Sequence, residues 1–172
     1  MVKICIKLLS SILVLCMFNA AAAAFAQQVV VTVDQDGETS PMREYVEDAV
    51  IGGLFDAGYI VWSDNPHGFL GTDGSGDNRI PLQMEYAAVR YARENGADIL
   101  VQVRVPSADF EMENPAHFAV IDIHGPSVLI SDSMQGEEYR NSDMDLRKSS
   151  LKLGRLIAEQ VHAEIRRDQQ NR

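Results

Sequence analysis

Four histidines, His67, His117, His124 and His162, are the side chains of this chain best suited to proton transfer or metal ligation near neutral pH. Their spacing suits neither role, since no His-x-x-x-His pair presents two imidazoles on one helix face for zinc. His117 and His124 bracket an apolar run, and their odd separation puts them on opposite faces of a strand, so they share no metal there. All four read as ordinary surface or half-buried residues. No Gly-x-Ser-x-Gly elbow exposes an activated serine. The glycine-rich run Gly71-Thr72-Asp73-Gly74-Ser75-Gly76 lacks the lysine with which a P-loop holds phosphates. These motifs call for no cofactor, and the expectation is a protein that is not an enzyme.

Two acidic arrangements remain. Asp73, Ser75 and Asp77 place oxygens at alternate positions, as at the start of a calcium loop. Asn78 stands where such loops carry glycine, and Met84 where they carry a bidentate carboxylate, with Glu85 one place late. A calcium-dependent binding protein or small hydrolase built on the Ser63–Arg79 loop is the alternative reading. Asp109, Glu111 and Glu113 fall on one side of an alternating stretch and read as a solvated face that discourages edge pairing.

One basic arrangement stands out. Lys148, Lys152 and Arg155, spaced i, i+4 and i+7 and followed by Arg166, line one face of a helix. In an acidic chain they read either as a solubilising helix surface or as a contact face for an anionic protein or polymer.

The chain that must position these groups has 172 residues and 46% hydrophobic content, enough for one domain with a core. Its first 26 residues read as a leader: Lys3 and Lys7, an apolar run from Leu8 to Phe18, then Ala24-Phe25-Ala26 as the cleavage signal. The run is short for a membrane-spanning helix, and Leu15 before Cys16 is too bulky for a lipidation signal. Cleavage after Ala26 removes Cys5, Cys16 and two lysines, leaving 13 Lys+Arg against 25 Asp+Glu, a net charge of −12. Such a charge excludes a general nucleic-acid binder. A cysteine-free exported domain held by packing alone fits a periplasm, with secretion as the alternative.

Val29–Val33 is a β-branched strand. Ser40-Pro41 caps a helix whose apolar stripe runs Val46, Ala49, Val50, Gly53, Leu54 and Ala57, with Gly58 as terminator. Tyr59–Trp62 is the next strand. A second helix spans Pro81 to Glu94, with Leu82, Tyr86, Val89 and Ala92 inward, and Asn95-Gly96 stops it. Strands follow at Ala97–Val105, His117–His124 and Ser127–Met134, separated by turns at Asn114-Pro115 and Gly125-Pro126. After a polar connection, Asp143–Arg167 forms the last helix, with Leu146, Leu153, Leu156, Ile157, Val161 and Ile165 on one side and frayed polar residues beyond. The order β-α-β-α-β-β-β-α predicts a mixed α/β fold, a five-stranded mixed β-sheet covered by three helices.

That order, with Val46-Glu47-Asp48-Ala49-Val50, Leu54-Phe55-Asp56-Ala57-Gly58-Tyr59-Ile60-Val61, Glu94-Asn95-Gly96-Ala97-Asp98-Ile99-Leu100-Val101 and Val120-Ile121-Asp122-Ile123, resembles the N-terminal α/β domain of the TolB family. Related folds occur in penicillin-binding-protein activator lipoproteins and in the curli secretion protein CsgG. The resemblance covers Val29 to about Ile165 and rests on packing and turn motifs. No propeller repeats follow, and only Gln27-Gln28 precede the first strand, so a TolB-like partner-binding tail is missing. It implies a non-enzymatic accessory or protein-interaction module of the cell envelope, whose partner is an envelope protein or anionic envelope polymer.

Overall fold

The computed structural model describes residues 26–35, 41–63, 82–106, 115–125, 127–143 and 145–172, with side chains of the 82–94 helix from 88 onward. Five strands, β1 (Gln28–Gln35), β2 (Ile60–Ser63), β3 (Ile99–Val105), β4 (Ala116–Asp122) and β5 (Ser127–Met134), form one mixed sheet in the order β2-β1-β3-β4-β5. Strand β1 runs parallel to β2 and β3, whereas β3–β4 and β4–β5 are antiparallel. The helices are α1 (Pro41–Asp56), α2 (Leu82–Glu94), α3 (Gly136–Tyr139) and α4 (Leu146–Asn171).

Alternation along the strands sorts the core into two layers. Val29, Val31 and Val33 of β1, Ile99, Val101, Val103 and Val105 of β3, and Phe118 and Val120 of β4 join one cluster. On that face α1 supplies Met42, Val46, Val50 and Leu54, and α4 supplies Leu153, Ile157, Val161 and Ile165. The intervening Val30, Leu100 and Ile121 turn to the other face, where Ala92, Ala88 and Val89 of α2 cover them together with Ala97 and Ile123. Leu54 and Ile157 are fully buried, as the helical stripes predict. The stripe on α1 is shorter than expected: the helix stops at Asp56 and Ala57 is exposed.

Helices α1 and α4 touch through small residues. A Cβ on Gly154 would come within 2.6 Å of both the Ala49 Cβ and the Val46 carbonyl oxygen, and one on Gly53 within 2.6 Å of the Ala158 Cβ. Gly58 and Gly96 end α1 and α2 with φ of 94° and 76°, a region that L side chains rarely adopt.

Two features differ from the sequence expectation. The polar connection contains a one-turn helix, α3, closed by the Gln135 amide donating to Glu138 Oε1 at 2.7 Å and anchored by buried Tyr139. The last helix begins at Leu146, with Asp145 Oδ1 capping the Lys148 amide at 3.1 Å. It continues through Asn171, where the sequence predicts frayed residues, because Arg172 Nε reaches Asp168 at 2.8 Å and Gln169 bonds to Gln27.

Candidate functional site

Polar chemistry collects at the end of the sheet where β1 and β3 begin and β4 ends. Pairing of Ile99 with Asp122 across β3–β4 brings Asp98 beside the turn after β4, and the Ile123 amide donates to the Asp98 carbonyl at 2.9 Å. Asp98 sits just ahead of a buried strand with both carboxylate oxygens engaged. Oδ2 accepts the Gln28 amide at 2.8 Å, and Oδ1 lies 2.9 Å from His124 Nε2. Asp122, only 4% exposed, accepts the His124 amide at 2.9 Å through Oδ1 and the Arg172 guanidinium through Oδ2.

Ala26, Gln27, Asp98, Ile99, Asp122, His124 and Arg172 line a partly open pocket of about 240 Å³ there. Burial pushes the Asp122 carboxyl up. Hydrogen bonds from Arg172 and from the His124 and Gly125 amides, with the Arg172 charge, outweigh it and hold the group below the usual carboxylate range.

A pH dependence follows. A carboxyl lowered on folding stabilises the domain above its unfolded value, ~3.9, and that contribution is lost as pH falls through the folded value. Asp122→Asn should therefore melt below the native chain at neutral pH, and the gap should narrow once pH drops under ~4. Thermal melts of both proteins over that range check this; a gap independent of pH would contradict it.

A second polar contact lies on α4, where His162 Nδ1 and the Tyr59 hydroxyl are 3.0 Å apart and the rings meet edge to face with centroids at 5.7 Å. Burial raises the Tyr59 phenol above its ordinary value, with Arg166 opposing. The contact ties α4 to the start of β2.

Lys148, Lys152 and Arg155 all lie exposed on α4, as does Arg166. The ammonium of Lys148 faces Asp143 at 3.3 Å and Asp145 at 3.8 Å, so its charge is partly offset. His117 is half-buried on β4, paired in register with Arg104. Asp73, Ser75 and Asp77, together with His67, Asp109, Glu111 and Glu113, lie outside the described residues. Among the described residues, no three His, Cys, Asp or Glu side chains converge as metal ligands.

Motif reading missed the basal group of Asp98, Asp122, His124 and Arg172. Its one signal was a lone carboxylate inside each of two apolar runs, Ala97-Asp98-Ile99 and Ile121-Asp122-Ile123. The motif reading also missed Ser149-Ser150-Leu151-Lys152, which has the Ser-x-x-Lys spacing. Ser149 is buried with its hydroxyl oxygen accepting the Asn141 amide at 3.1 Å, whereas Lys152 is exposed.

The fold resembles that of PelC. The PelC dodecamer from Paraburkholderia phytofirmans superposes with a TM-score of 0.50 at 14% identity, over 79% of this chain and 86% of PelC. TolB from Acinetobacter baumannii is also similar, at a TM-score of 0.46 and 12% identity, over 81% of this chain and 28% of TolB. Lipoprotein GNA1162 from Neisseria meningitidis gives 0.43 and 17%, over 80% and 95%. At 14% identity the likeness to PelC is one of fold alone, a mixed α/β arrangement of the kind that the order of elements implies. No family model and no curated protein matches the sequence.

Proposed function

We propose that this chain is an exported, non-enzymatic accessory module of the cell envelope, processed after Ala26, that binds an envelope protein or an anionic envelope polymer. The observation that carries this reading is where the folded domain begins. Strand β1 starts at Gln28, so in the sequence the Ala24-Phe25-Ala26 signal ends only one residue ahead of the first strand. Among the described residues, no helix is long and apolar enough to cross a membrane. PelC, with which the fold is shared, was solved as a dodecamer, so the same frame serves elsewhere as a part of an assembly.

Lys152 and Arg155 are the contact residues in this reading, with Lys148 at the edge. A photo-cross-linking residue at 152 or 155 in the exported protein should capture discrete envelope components, and capture should fall with salt, because exposed charges are screened beyond ~8 Å at physiological ionic strength. The same probe at exposed Glu44 of α1 serves as control. Equal capture at Glu44, or none at 152 and 155, would contradict the assignment. Calcium should give no binding heat in a calorimetric titration; tight binding lost in Asp73→Ala would favour the calcium-dependent alternative instead.

A further inference from the structure

Gln27, the residue that leader removal would make first, is already held in the basal pocket. Its carbonyl accepts the Ile60 amide at 3.1 Å, and its side-chain Oε1 accepts Gln169 Nε2 at 2.9 Å. The next amide, that of Gln28, donates to Asp98 Oδ2 at 2.8 Å. Consecutive Cα atoms are only ~3.8 Å apart, so the Gln27 nitrogen lies about one residue's length from the Gln28 nitrogen that touches Asp98. Before processing that nitrogen is a neutral peptide N–H. Hydrolysis of the Ala26–Gln27 bond adds one water, leaves a carboxylate on Ala26, and gives Gln27 an amine that takes up a proton at neutral pH.

The charges around the pocket are uneven. Asp98 at the head of β3 and Asp122 at the end of β4 are the carboxylates that line the pocket, and among the described residues lining it the one permanent cation is Arg172; Asp168 of α4, and Arg93 of α2, which donates to the Ile123 carbonyl at 3.1 Å, lie outside the lining. Arg172 engages both Asp122 and Asp168, and the Asp98 carboxylate, besides the Gln28 amide, meets His124, a residue charged only when protonated. A second cation delivered by the chain itself would balance the group.

We infer that the mature N-terminal ammonium of Gln27 docks on Asp98, with Asp122 as the second carboxylate facing it. The processed N-terminus is then a clasp that ties β1 to the β3–β4 end and to the C-terminal turns of α4, rather than a free tail for partner capture. The inference rests on the export reading in one respect: it takes the leader removed after Ala26.

The test uses the mature chain released in vitro at Gln27 from a fusion, so its outcome is separate from whether cells process the leader there. Reductive methylation with carbon-13 formaldehyde labels the amines while keeping their charge, and beyond Gln27 only Lys148 and Lys152 add signals. The α-amine should titrate about one pH unit higher in the folded chain than in the same chain in urea, about tenfold in proton affinity. Asp98→Asn should remove the difference. Equal titration in the folded and unfolded chains would overturn the proposal. So would a difference that survives Asp98→Asn, or cyclisation of unmethylated Gln27, seen as loss of one ammonia, as fast in the folded chain as in urea. Should Asp98→Asn fail to fold, the folded-against-urea comparison of the native chain decides alone.

Discussion

Leu54→Ala is expected to lower stability by ~2–5 kcal/mol, as large-to-alanine changes do in closely packed cores. Leu54 is the last inward residue of α1, fully buried in the cluster that joins α1 and α4 to the sheet. Its removal deletes apolar contacts and leaves a cavity that two helices and a sheet can close only in part. For a domain whose total stability is of the usual ~5–15 kcal/mol, that is a large fraction. Urea denaturation of the mature chain measures it through the transition midpoint. A midpoint unchanged within error would mean that the α1 stripe does not face the core.

Gly154→Ala should also destabilise the domain, although alanine is the better helix former. The new Cβ would meet Ala49 Cβ and the Val46 carbonyl oxygen at 2.6 Å and the Val50 nitrogen at 3.2 Å. Two of these atoms are α1 backbone, so the helices must separate. Overpacking of this kind costs ~1–3 kcal/mol, more than the ~1 kcal/mol gained by removing glycine from a helix. Gly52→Ala is the internal control: nothing lies within 4 Å of its added Cβ, and it should stabilise by up to ~1 kcal/mol. Opposite signs at these two glycines, read from the same urea melts, test whether α1 and α4 meet as described. The consequence reaches the surface, because this contact fixes which face of α4 presents Lys152 and Arg155.

Much of this arrangement was legible in the residues. Beta-branched runs at Val29–Val33 and Ile99–Val105 marked two buried strands, and Ser40-Pro41 and Gly58 bounded α1 to within two residues of its observed ends. The turn Gly125-Pro126 marked the antiparallel step from β4 to β5. Helix α3 was hidden because Gly136–Tyr139 is one turn long, too short for periodicity, and depends on burial of Tyr139. The C-terminal extension of α4 was hidden for a related reason: polar residues 168–171 stay helical through contacts of Gln169 and the capping Arg172 with Gln27 and Asp122, which are distant in sequence.

The basal site was not legible as a site. Asp98 and Asp122 are far apart in the chain, and only the register Ile99↔Asp122 brings them together. Arg172 joins them because α4 runs its full length back to that end of the sheet. The basic stripe shows the converse. Spacing placed Lys148, Lys152 and Arg155 on one face, but Asp143 and Asp145 fold back on Lys148 through the N-cap geometry.

Both the envelope role and the N-terminal clasp depend on an exported domain that begins at Gln27. Intact-mass analysis and N-terminal sequencing of the protein recovered from the periplasmic fraction of expressing cells decide this. The recovered chain should start at Gln27 and lack both cysteines. A full-length chain retained in the cytoplasm, or a chain beginning at a lipidated Cys16, would contradict it.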